Sequence, residues 1–551
     1  MNTKSIKLKD DGKIKVADIT IAQLSQGLYR STATAFKELV SNAYDADATE
    51  VRIDTNYPDF DFISSVDNGT GMSLDQFSRF FSEEGIGSCI KRKHGKDKTD
   101  IYKRPIIGRL GIGMLAIGQL CHSFEIESHY KDENGKGKAY RAQIILLDVS
   151  IPDKEKVIRD DEMKTKEIEV GTWKYQIIDF DEKKKGFRIY SSDVRATFRN
   201  EMKQSVSQED REKISFSLAD LHSEFYDKAK KSIRDCKPYL ETIWELAMLC
   251  PLPYYEKKEE YPINFETFNS SEKKSKEFLR AVQFIRDRQQ QFLNEKFRVI
   301  FDGIKLRRHI QLPKVPTEKR IIPKLYFLEF NEIIADHRLK FSGYLFAQVP
   351  KAIRPLELNG IQIRLRGVGI GGYDSTFLKY YKQIETIRSR WVSGEIFVDE
   401  GLESALNIDR DSFNEHDEHY KSLQSFLHDK KLDTVFTEAA SIARQLSDER
   451  HQEKDESLKK AMQTIAAEQS KGRFKLLQKD LGMEAPIVTV NKERGQIILN
   501  TSSRPLKKKK ANMLIGVVEL AYQIAKHATK TDESRDRLFS ELIRNIFTEL
   551  I

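Results

Sequence analysis

The sequence predicts a multidomain protein of the α+β class, and three observations support this. An amphipathic helical pattern over residues 36–48 is followed, before residue 114, by two segments that contain closely spaced glycines. Strand patterns dominate residues 296–430, and helical patterns dominate the regions on either side. We therefore expect four regions: an α/β domain over 1–200, a helical connector over 201–295, a middle α/β domain over 296–430 and a mostly helical region over 431–551.

The composition is that of a heavily charged, mostly ordered protein. The 551 residues are 39% hydrophobic and 32% charged. The net charge of +8 is the difference between 93 basic and 85 acidic residues, so it argues only weakly for an anionic partner. No apolar run has the length of a membrane span, the N-terminus lacks the apolar core of a signal peptide, and the four cysteines lack metal-ligand spacing. We expect a cytoplasmic protein with no membrane partner.

The helical pattern near the N-terminus places three polar side chains on one face. Its apolar stripe has the spacing i, i+3, i+4 and i+7: Phe36, Leu39, Val40 and Ala43. At about 100° per residue, Glu38, Asn42 and Asp45 lie together on the opposite face. Such a face is ordinarily just solvated. Two later segments favour a functional face instead.

Two glycine-rich segments follow this helix. In the first, a strand ends at Asp67 and continues into a turn with two glycines and a methionine: Gly69, Gly71 and Met72. In the second, three glycines precede an apolar helical run over 114–120: Gly108, Gly111 and Gly113. Glycines before a helix let its free backbone N–H groups approach a phosphate closely. The second segment is therefore a candidate phosphate-binding loop.

In this order, the three motifs resemble those of the GHKL ATPase superfamily, which includes gyrase, the heat-shock ninety chaperones, histidine kinases and MutL. The resemblance implies a Bergerat-type α/β sandwich that binds ATP and Mg²⁺. It matches Glu38 with the catalytic glutamate that orients the attacking water, Asn42 with the amide ligand of Mg²⁺ and Asp67 with the acceptor of the adenine amino group. The glycines of both segments would let the backbone pass close to ATP, and Met72 would be an apolar wall for the base. Asp45 has either a ribose-side role or a structural one.

Other parts of this N-terminal region match the superfamily less specifically. Residues 80–107 are polar and glycine-punctuated, and their position matches the lid that folds over bound ATP. The superfamily's Gly-Thr signature has two candidates: Gly171–Thr172 has the residues, and Gly186–Phe187 has the better strand context. With the first pair Thr172 would contact the nucleotide, and with the second that contact is lost. Residues 1–30 either complete the sheet of their own domain or help to close an ATP-bound dimer.

The strand-rich region resembles the middle domain of the heat-shock ninety chaperones and, more loosely, the transducer domains of MutL and MORC proteins. The similarity lies in the order of four segments: 341–347, 359–368, 394–399 and 406–411. In the chaperones an arginine of the last segment reaches the γ-phosphate, and Arg410 occupies the matching place. The alternative is a surface arginine paired with Asp409 or Asp411.

The C-terminal region resembles no family that we recognise. It contains a long charged helical pattern over 432–469, a β-hairpin over 487–500, four lysines at 507–510 and a final pair of helices. The resemblance of the rest implies a dimeric ATPase switch whose conformational cycle acts on another macromolecule. A chaperone-like role implies a protein client, a MutL- or MORC-like role implies DNA, and a third alternative is a sensor that controls a separate effector, as in bacterial phage defence.

Overall fold

The computed structural model describes most of the chain. The ranges described are 10–17, 31–83, 98–108, 113–146, 167–204, 232–236, 238–255, 265, 268–308, 321–381, 386–407, 411–469, 475–482, 485–491, 493–500, 502 and 512–550. Gly111, Arg410, residues 84–97 of the predicted lid and the four lysines lie outside them. The chain forms two compact units, Met1–Ala440 and Ser441–Ile551.

The first unit contains a nine-stranded sheet that is mostly antiparallel. Its strands are β1 (Asp10–Ala17), β2 (Glu50–Asp54), β3 (Ile63–Asp67), β4 (Cys121–Lys131), β5 (Gly137–Leu146), β6 (Glu167–Ile178), β7 (Gly186–Val194), β8 (Arg298–Phe301) and β9 (Ile304–Lys305). They are hydrogen bonded in the order β1-β6-β5-β4-β7-β3-β2-β8-β9. Strand β1 pairs with β6, so this part of the N-terminal segment completes a sheet within its own unit.

One helix, α1 (Thr32–Asp45), lies in the core beside this sheet. Ser31 caps its N-terminus by accepting a hydrogen bond from the N–H of Thr34 at 3.3 Å. The predicted apolar stripe is buried, and the ring of Phe36 packs edge-on against Phe198 and Phe301. The helix ends where the N–H of Ala46 bonds to the carbonyl oxygen of Asn42. The periodicity therefore predicted both the helix and its buried face.

Seven further α-helices are described in this unit before residue 433. They are α2 (Leu74–Ser78), α3 (Ala196–Gln204), α4 (Pro238–Leu249), α5 (Ser270–Lys273), α6 (Lys276–Asn294), α7 (Thr386–Ser389) and α8 (Glu418–Ser425). The predicted helix over 114–120 is a 3₁₀ helix, Gly113–Gln119. It is short and contains two glycines, which leaves little to favour the α form.

The strand pattern near residue 296 belongs to the first sheet. We expected Phe297–Phe301 to open the middle domain, but β8 pairs in parallel with β2, from Glu50 opposite Arg298 to Ile53 opposite Phe301. Helix α6 precedes β8 in the chain. The chain therefore returns to the first sheet before it enters the second.

The second sheet of this unit has five strands: β10 (Ile322–Ile334), β11 (His337–Val349), β12 (Gly360–Leu365), β13 (Val368–Asp374) and β14 (Val392–Glu400). Their order is β10-β11-β14-β12-β13, and only the β12–β14 pair among them is parallel. Three of these strands, β10, β11 and β12, contain the segments 325–330, 339–348 and 360–365, whose patterns predict strands.

A buried charge cluster joins the second sheet to the end of the first. The Glu395 carboxylate pairs with Arg364 at 2.5 Å and with Arg308 at 3.3 Å, and all three side chains are fully buried. The hydroxyls of Tyr254 and Tyr344 donate to the same carboxylate at 2.6 and 2.9 Å. These contacts satisfy a charge that would be costly to bury alone, and they hold the pKa of Glu395 below its usual value despite its burial.

The second unit has its own small core. A long helix, α9 (Asp433–Gln469), begins within the first unit, and its larger part belongs to the second. It precedes a three-stranded sheet of β15 (Lys475–Lys479), β16 (Val488–Asn491) and β17 (Gln496–Asn500). The predicted hairpin is the antiparallel pair β16–β17, whereas the parallel strand β15 was not foreseen. Helices α10 (Asn512–Ala528) and α11 (Asp532–Leu550) match the predicted final pair. Among the residues described, no helix has the length and apolar character needed to cross a membrane.

Candidate functional site

The segment that follows Asp67 and the segment that begins at Gly108 both attach to the C-terminal end of α1. The N–H of Thr70 donates to the carbonyl oxygen of Ala46 at 2.8 Å, so the turn after Asp67 rests on the end of this helix. A Cβ atom at Gly69 would lie only 2.5 Å from the same carbonyl oxygen. Glycine is therefore required here because of the close approach of two backbones.

Asp45 holds the start of the second glycine-rich segment. Its two carboxylate oxygens each accept a backbone hydrogen bond at 2.7 Å, one from Ile107 and one from Gly108. Of the two roles left open for Asp45, these contacts match the structural one. They fix residues 107–108 beside the helix turn that also carries the Asp67 segment.

Two residues that the sequence analysis missed extend this attachment. The Asp47 carboxylate accepts the N–H groups of Ile101 at 2.8 Å and Tyr102 at 3.1 Å. The Arg104 guanidinium, 2% exposed, donates to the carbonyl oxygens of Ala48 at 2.6 Å and Glu295 at 2.7 Å. Residues 98–108, which include the last part of the predicted lid, are thereby anchored to the C-terminal end of α1.

Asp67 lies half-buried at the end of β3. Its carboxylate accepts the N–H of Gly69 at 2.8 Å, and Phe187 is its partner across the β3–β7 ladder. Burial raises the pKa of Asp67 to about 6, although backbone hydrogen bonds from Gly69 and Phe187 act in the opposite direction. This carboxylate is thus a half-buried acceptor that a backbone N–H group holds in place.

The structure distinguishes the two candidates for the Gly-Thr signature by position. Gly186 has φ +125°, and a Cβ atom there would lie 2.1 Å from the backbone oxygen of Asp67. Thr172 pairs instead with Ile145 on β5 and Lys13 on β1. Strand β6 is four positions from β3 in the sheet, which is about 19 Å. The structure therefore brings Gly186–Phe187 to Asp67 and leaves Thr172 away from it, a correction of our assignment of Thr172 to the site.

The turn after Asp67 is fixed on its other side by β4. Gly71 has φ +73°, and a Cβ atom there would lie 2.7 Å from the carbonyl oxygen of His129. The Ser128 hydroxyl accepts the N–H of Met72 at 2.9 Å and donates to its carbonyl oxygen at 2.8 Å. Met72 is half-buried and packs against the main core. These contacts give the turn one defined shape.

Glu38 and Asn42 lie further back along the same helix. Glu38 is 3% exposed, and Asn42 is half-buried. At about 1.5 Å of rise per residue, Glu38 is about 10 Å from Asp45 along the helix axis. Beside Glu38, the ammonium group of Lys37 pairs with the Asp411 carboxylate at 2.7 Å. Asp411 is the residue that follows Arg410, and no sequence pattern indicated this contact.

Comparison with known proteins supports the family resemblance for this part of the chain. Residues 29–169 match the family model described as "Histidine kinase-, DNA gyrase B-, and HSP90-like ATPase". A curated relative from Herpetosiphon aurantiacus, described as "Putative type II restriction enzyme HgiDII", is 38% identical over 109 residues. That alignment covers 20% of this chain and 16% of the relative. Residues 29–169 are therefore similar to an ATPase domain of the GHKL type.

Proposed function

We propose that this chain binds and hydrolyses ATP, and that the ATP cycle switches its conformation so that it acts on a macromolecular partner. The observation that carries the proposal is the meeting of three motifs at one helix turn. Ala46 receives the turn after Asp67, and Asp45 holds residues 107–108. The polar face with Glu38 and Asn42 belongs to the same helix.

The residues present suit an adenine nucleotide. The Asp67 carboxylate would accept a hydrogen bond from the adenine amino group, and the partial burial that raises its pKa would strengthen this bond. Gly69 and Gly71 keep the backbone close to the helix and to β4, so a flat base could lie against the turn beside Met72. Phosphates would lie towards the segment that begins at Gly108 and continues through Gly111 to Gly113.

Hydrolysis would depend on the two polar residues nearer the N-terminus of α1. Glu38 would orient the attacking water and accept its proton. Mg²⁺, when bound, neutralises charge on the phosphates, and Asn42 would supply one oxygen ligand to it. Within the described ranges, no group of three or more His, Cys, Asp or Glu side chains could hold a metal ion. The remaining ligands would then be phosphate oxygens and water.

Arg410 is proposed to reach the γ-phosphate and to stabilise its developing charge. Support comes from its described neighbour, because Asp411 contacts Lys37 and Lys37 adjoins Glu38 in sequence. The alternative was an ion pair between Arg410 and Asp409 or Asp411. The Asp411 carboxylate already accepts hydrogen bonds from Lys37 and Thr34, which makes that pairing with Asp411 less favourable.

For the whole chain, we propose a clamp like that of the heat-shock ninety chaperones. Residues 1–200 would form the Bergerat sandwich with its lid, to which β8 and β9 add two strands of the first sheet. Residues 201–295 would form the connector, the rest of 296–430 the transducer domain, and 431–551 the region for partner binding or dimerisation. ATP would promote association of two chains in the cytoplasm. The buried Glu395 cluster supports such coupling because it links the two sheets of the first unit.

A second candidate function is a nucleic-acid-linked ATPase of a defence system. The observation that favours it is the similarity to the relative described as a restriction enzyme, although that alignment covers 16% of the relative. On this alternative, DNA or a DNA-bound effector takes the place of a protein client. A MutL- or MORC-like clamp on DNA would also be expected to hydrolyse ATP faster when DNA is present.

Steady-state ATP hydrolysis, with and without duplex DNA at two salt concentrations, tests the proposal. Turnover that DNA raises at low salt and leaves unchanged at high salt would favour the second candidate, because phosphate contacts weaken steeply with salt. Turnover that ignores DNA would favour a protein partner. Absence of ATP binding in the folded protein would contradict both.

A further inference from the structure

A buried ion pair connects α1 to a part of the chain that is distant in sequence. The Lys37 ammonium lies 2.7 Å from the Asp411 carboxylate, and their side chains are 2% and 8% exposed. The Thr34 hydroxyl donates to the second carboxylate oxygen at 3.3 Å. Both oxygens of Asp411 are therefore held by α1, although 374 residues separate Lys37 from Asp411 in the sequence.

Asp411 belongs to a closed loop. The N–H of Asn407 donates to the carbonyl oxygen of Ser412 at 3.0 Å, and its side-chain amide donates to the Ser412 hydroxyl at 2.9 Å. Leu406 and Phe413 form an antiparallel bridge next to these bonds. Residues 406–407 and 411–413, which we call the loop base, thus have a fixed geometry of their own. The ion pair attaches this base to α1.

The attachment lies next to the proposed catalytic carboxylate. Thr34 and Glu38 are four residues apart and are therefore neighbours on the helix surface, and Thr34 and Lys37 are neighbours at a spacing of three. Asp411 binds the Thr34–Lys37 edge. A shift of the loop base would consequently change what lies beside Glu38.

Stability alone gives little reason to bury such a pair. Removing two charges from water costs about as much as their attraction returns, and apolar residues of similar volume often serve as well. An ion pair adds a defined geometry, because Lys37 holds one oxygen of the Asp411 carboxylate and Thr34 holds the other. A site that must align groups from two sheets benefits from this geometry.

We propose that Lys37 and Asp411 are positioning residues for ATP hydrolysis, and that their ion pair sets the loop base against α1 beside Glu38. This inference rests on the proposed function. The pair would act through the position of α1 and the loop base and not through contact with the nucleotide. Its loss should therefore slow turnover without weakening ATP binding.

The test compares Lys37→Met, Asp411→Asn, their double variant and the conservative Lys37→Arg. Each single change should lower kcat at least about tenfold, because small misplacements in an active site have effects of this size. The Kd for ATP should change less than about twofold. The double variant should be no slower than the worse single variant, because both changes remove the same pair. Lys37→Arg should retain most of the turnover.

Stability is controlled in two ways. Lys37→Met with Asp411→Leu replaces the pair by apolar residues, which should keep the fold while it removes the directional contact. Arg288→Met breaks another partly buried pair, with Asp399, away from α1. Arg288→Met should leave kcat unchanged even if its melting temperature falls.

Two results would overturn the inference. One is wild-type kcat in the apolar double variant when it melts like the wild type. The other is additive loss in the Lys37→Met, Asp411→Asn double variant. If the wild-type protein itself does not hydrolyse ATP, the proposed function fails, whereas Glu38-dependent turnover that ignores the pair defeats this inference alone.

Discussion

Replacing Asp67 by asparagine should stabilise the fold at neutral pH and abolish ATP binding. Burial raises the pKa of Asp67 from 3.8 to about 6. Its ionised form is therefore disfavoured in the folded state, and ionisation at neutral pH costs about 3 kcal/mol, from two pKa units at 1.36 kcal/mol each. Asparagine has a similar shape and keeps an acceptor oxygen for the N–H of Gly69. The gain from Asp67→Asn should be at most about 3 kcal/mol at pH 7.5.

The sign of the pH dependence follows from the raised pKa. The folded protein binds the Asp67 proton more tightly than the unfolded chain does, so acidification from pH 7.5 to pH 4 favours the folded wild type relative to the variant. The advantage of Asp67→Asn should shrink to about 1 kcal/mol at pH 4.5 and vanish below the unfolded pKa of 3.8. The urea midpoints of the wild type and of Asp67→Asn at these pH values measure this difference in stability. Asp59→Asn, at an exposed site, is the control.

The same carboxylate should make ATP binding depend on pH. With a pKa of about 6, about one tenth of Asp67 is ionised at pH 5, so ATP should bind about tenfold more weakly there than at pH 7.5. Tripolyphosphate, which lacks a base, serves as the control for titration of phosphates. Two results would refute this explanation of Asp67. One is an Asp67→Asn variant that is less stable than the wild type at pH 7.5, and the other is normal ATP binding by that variant.

Three further substitutions test separate contacts. Asp45→Ala leaves two backbone N–H groups without their acceptor, so the ATP Kd should rise about tenfold in a binding titration, and an unchanged Kd would show that residues 107–108 do not contribute. Arg104→Met should lower the free energy of unfolding by about 2–4 kcal/mol, because buried carbonyl groups lose a charged donor. The control Arg52→Met, at an exposed site, should leave the free energy of unfolding unchanged. Arg410→Ala should bind ATP normally and hydrolyse it at least about tenfold more slowly in single-turnover assays, and wild-type rates would remove Arg410 from the site.

The features set by local sequence were predictable. The spacing of Phe36, Leu39, Val40 and Ala43 identified α1 and its buried face, and the alternating patterns identified most strands of the second sheet. The prediction that Gly69 and Gly71 let the backbone pass the adenine base stays a prediction, and the structure adds that a Cβ atom at either position would meet a backbone carbonyl oxygen. Each of these properties depends on neighbouring residues in the chain.

The features that depend on distant contacts were missed. Arg104 binds a carbonyl oxygen of Glu295, and β8 pairs with β2 across more than half of the first unit's chain length. Nothing local separates Asp47, which anchors Ile101 and Tyr102, from an ordinary helix-end aspartate. The choice between Gly171–Thr172 and Gly186–Phe187 likewise required the strand order. These gaps reflect tertiary pairing, on which a single sequence carries no direct signal.

Steady-state hydrolysis by the wild type and Glu38→Ala tests most directly whether Glu38 is the catalytic carboxylate of an ATPase. ATP binding to both proteins is measured alongside. The account predicts that the variant binds ATP within about threefold of the wild type and hydrolyses it at least about 100-fold more slowly. Equal turnover by the two proteins would contradict it.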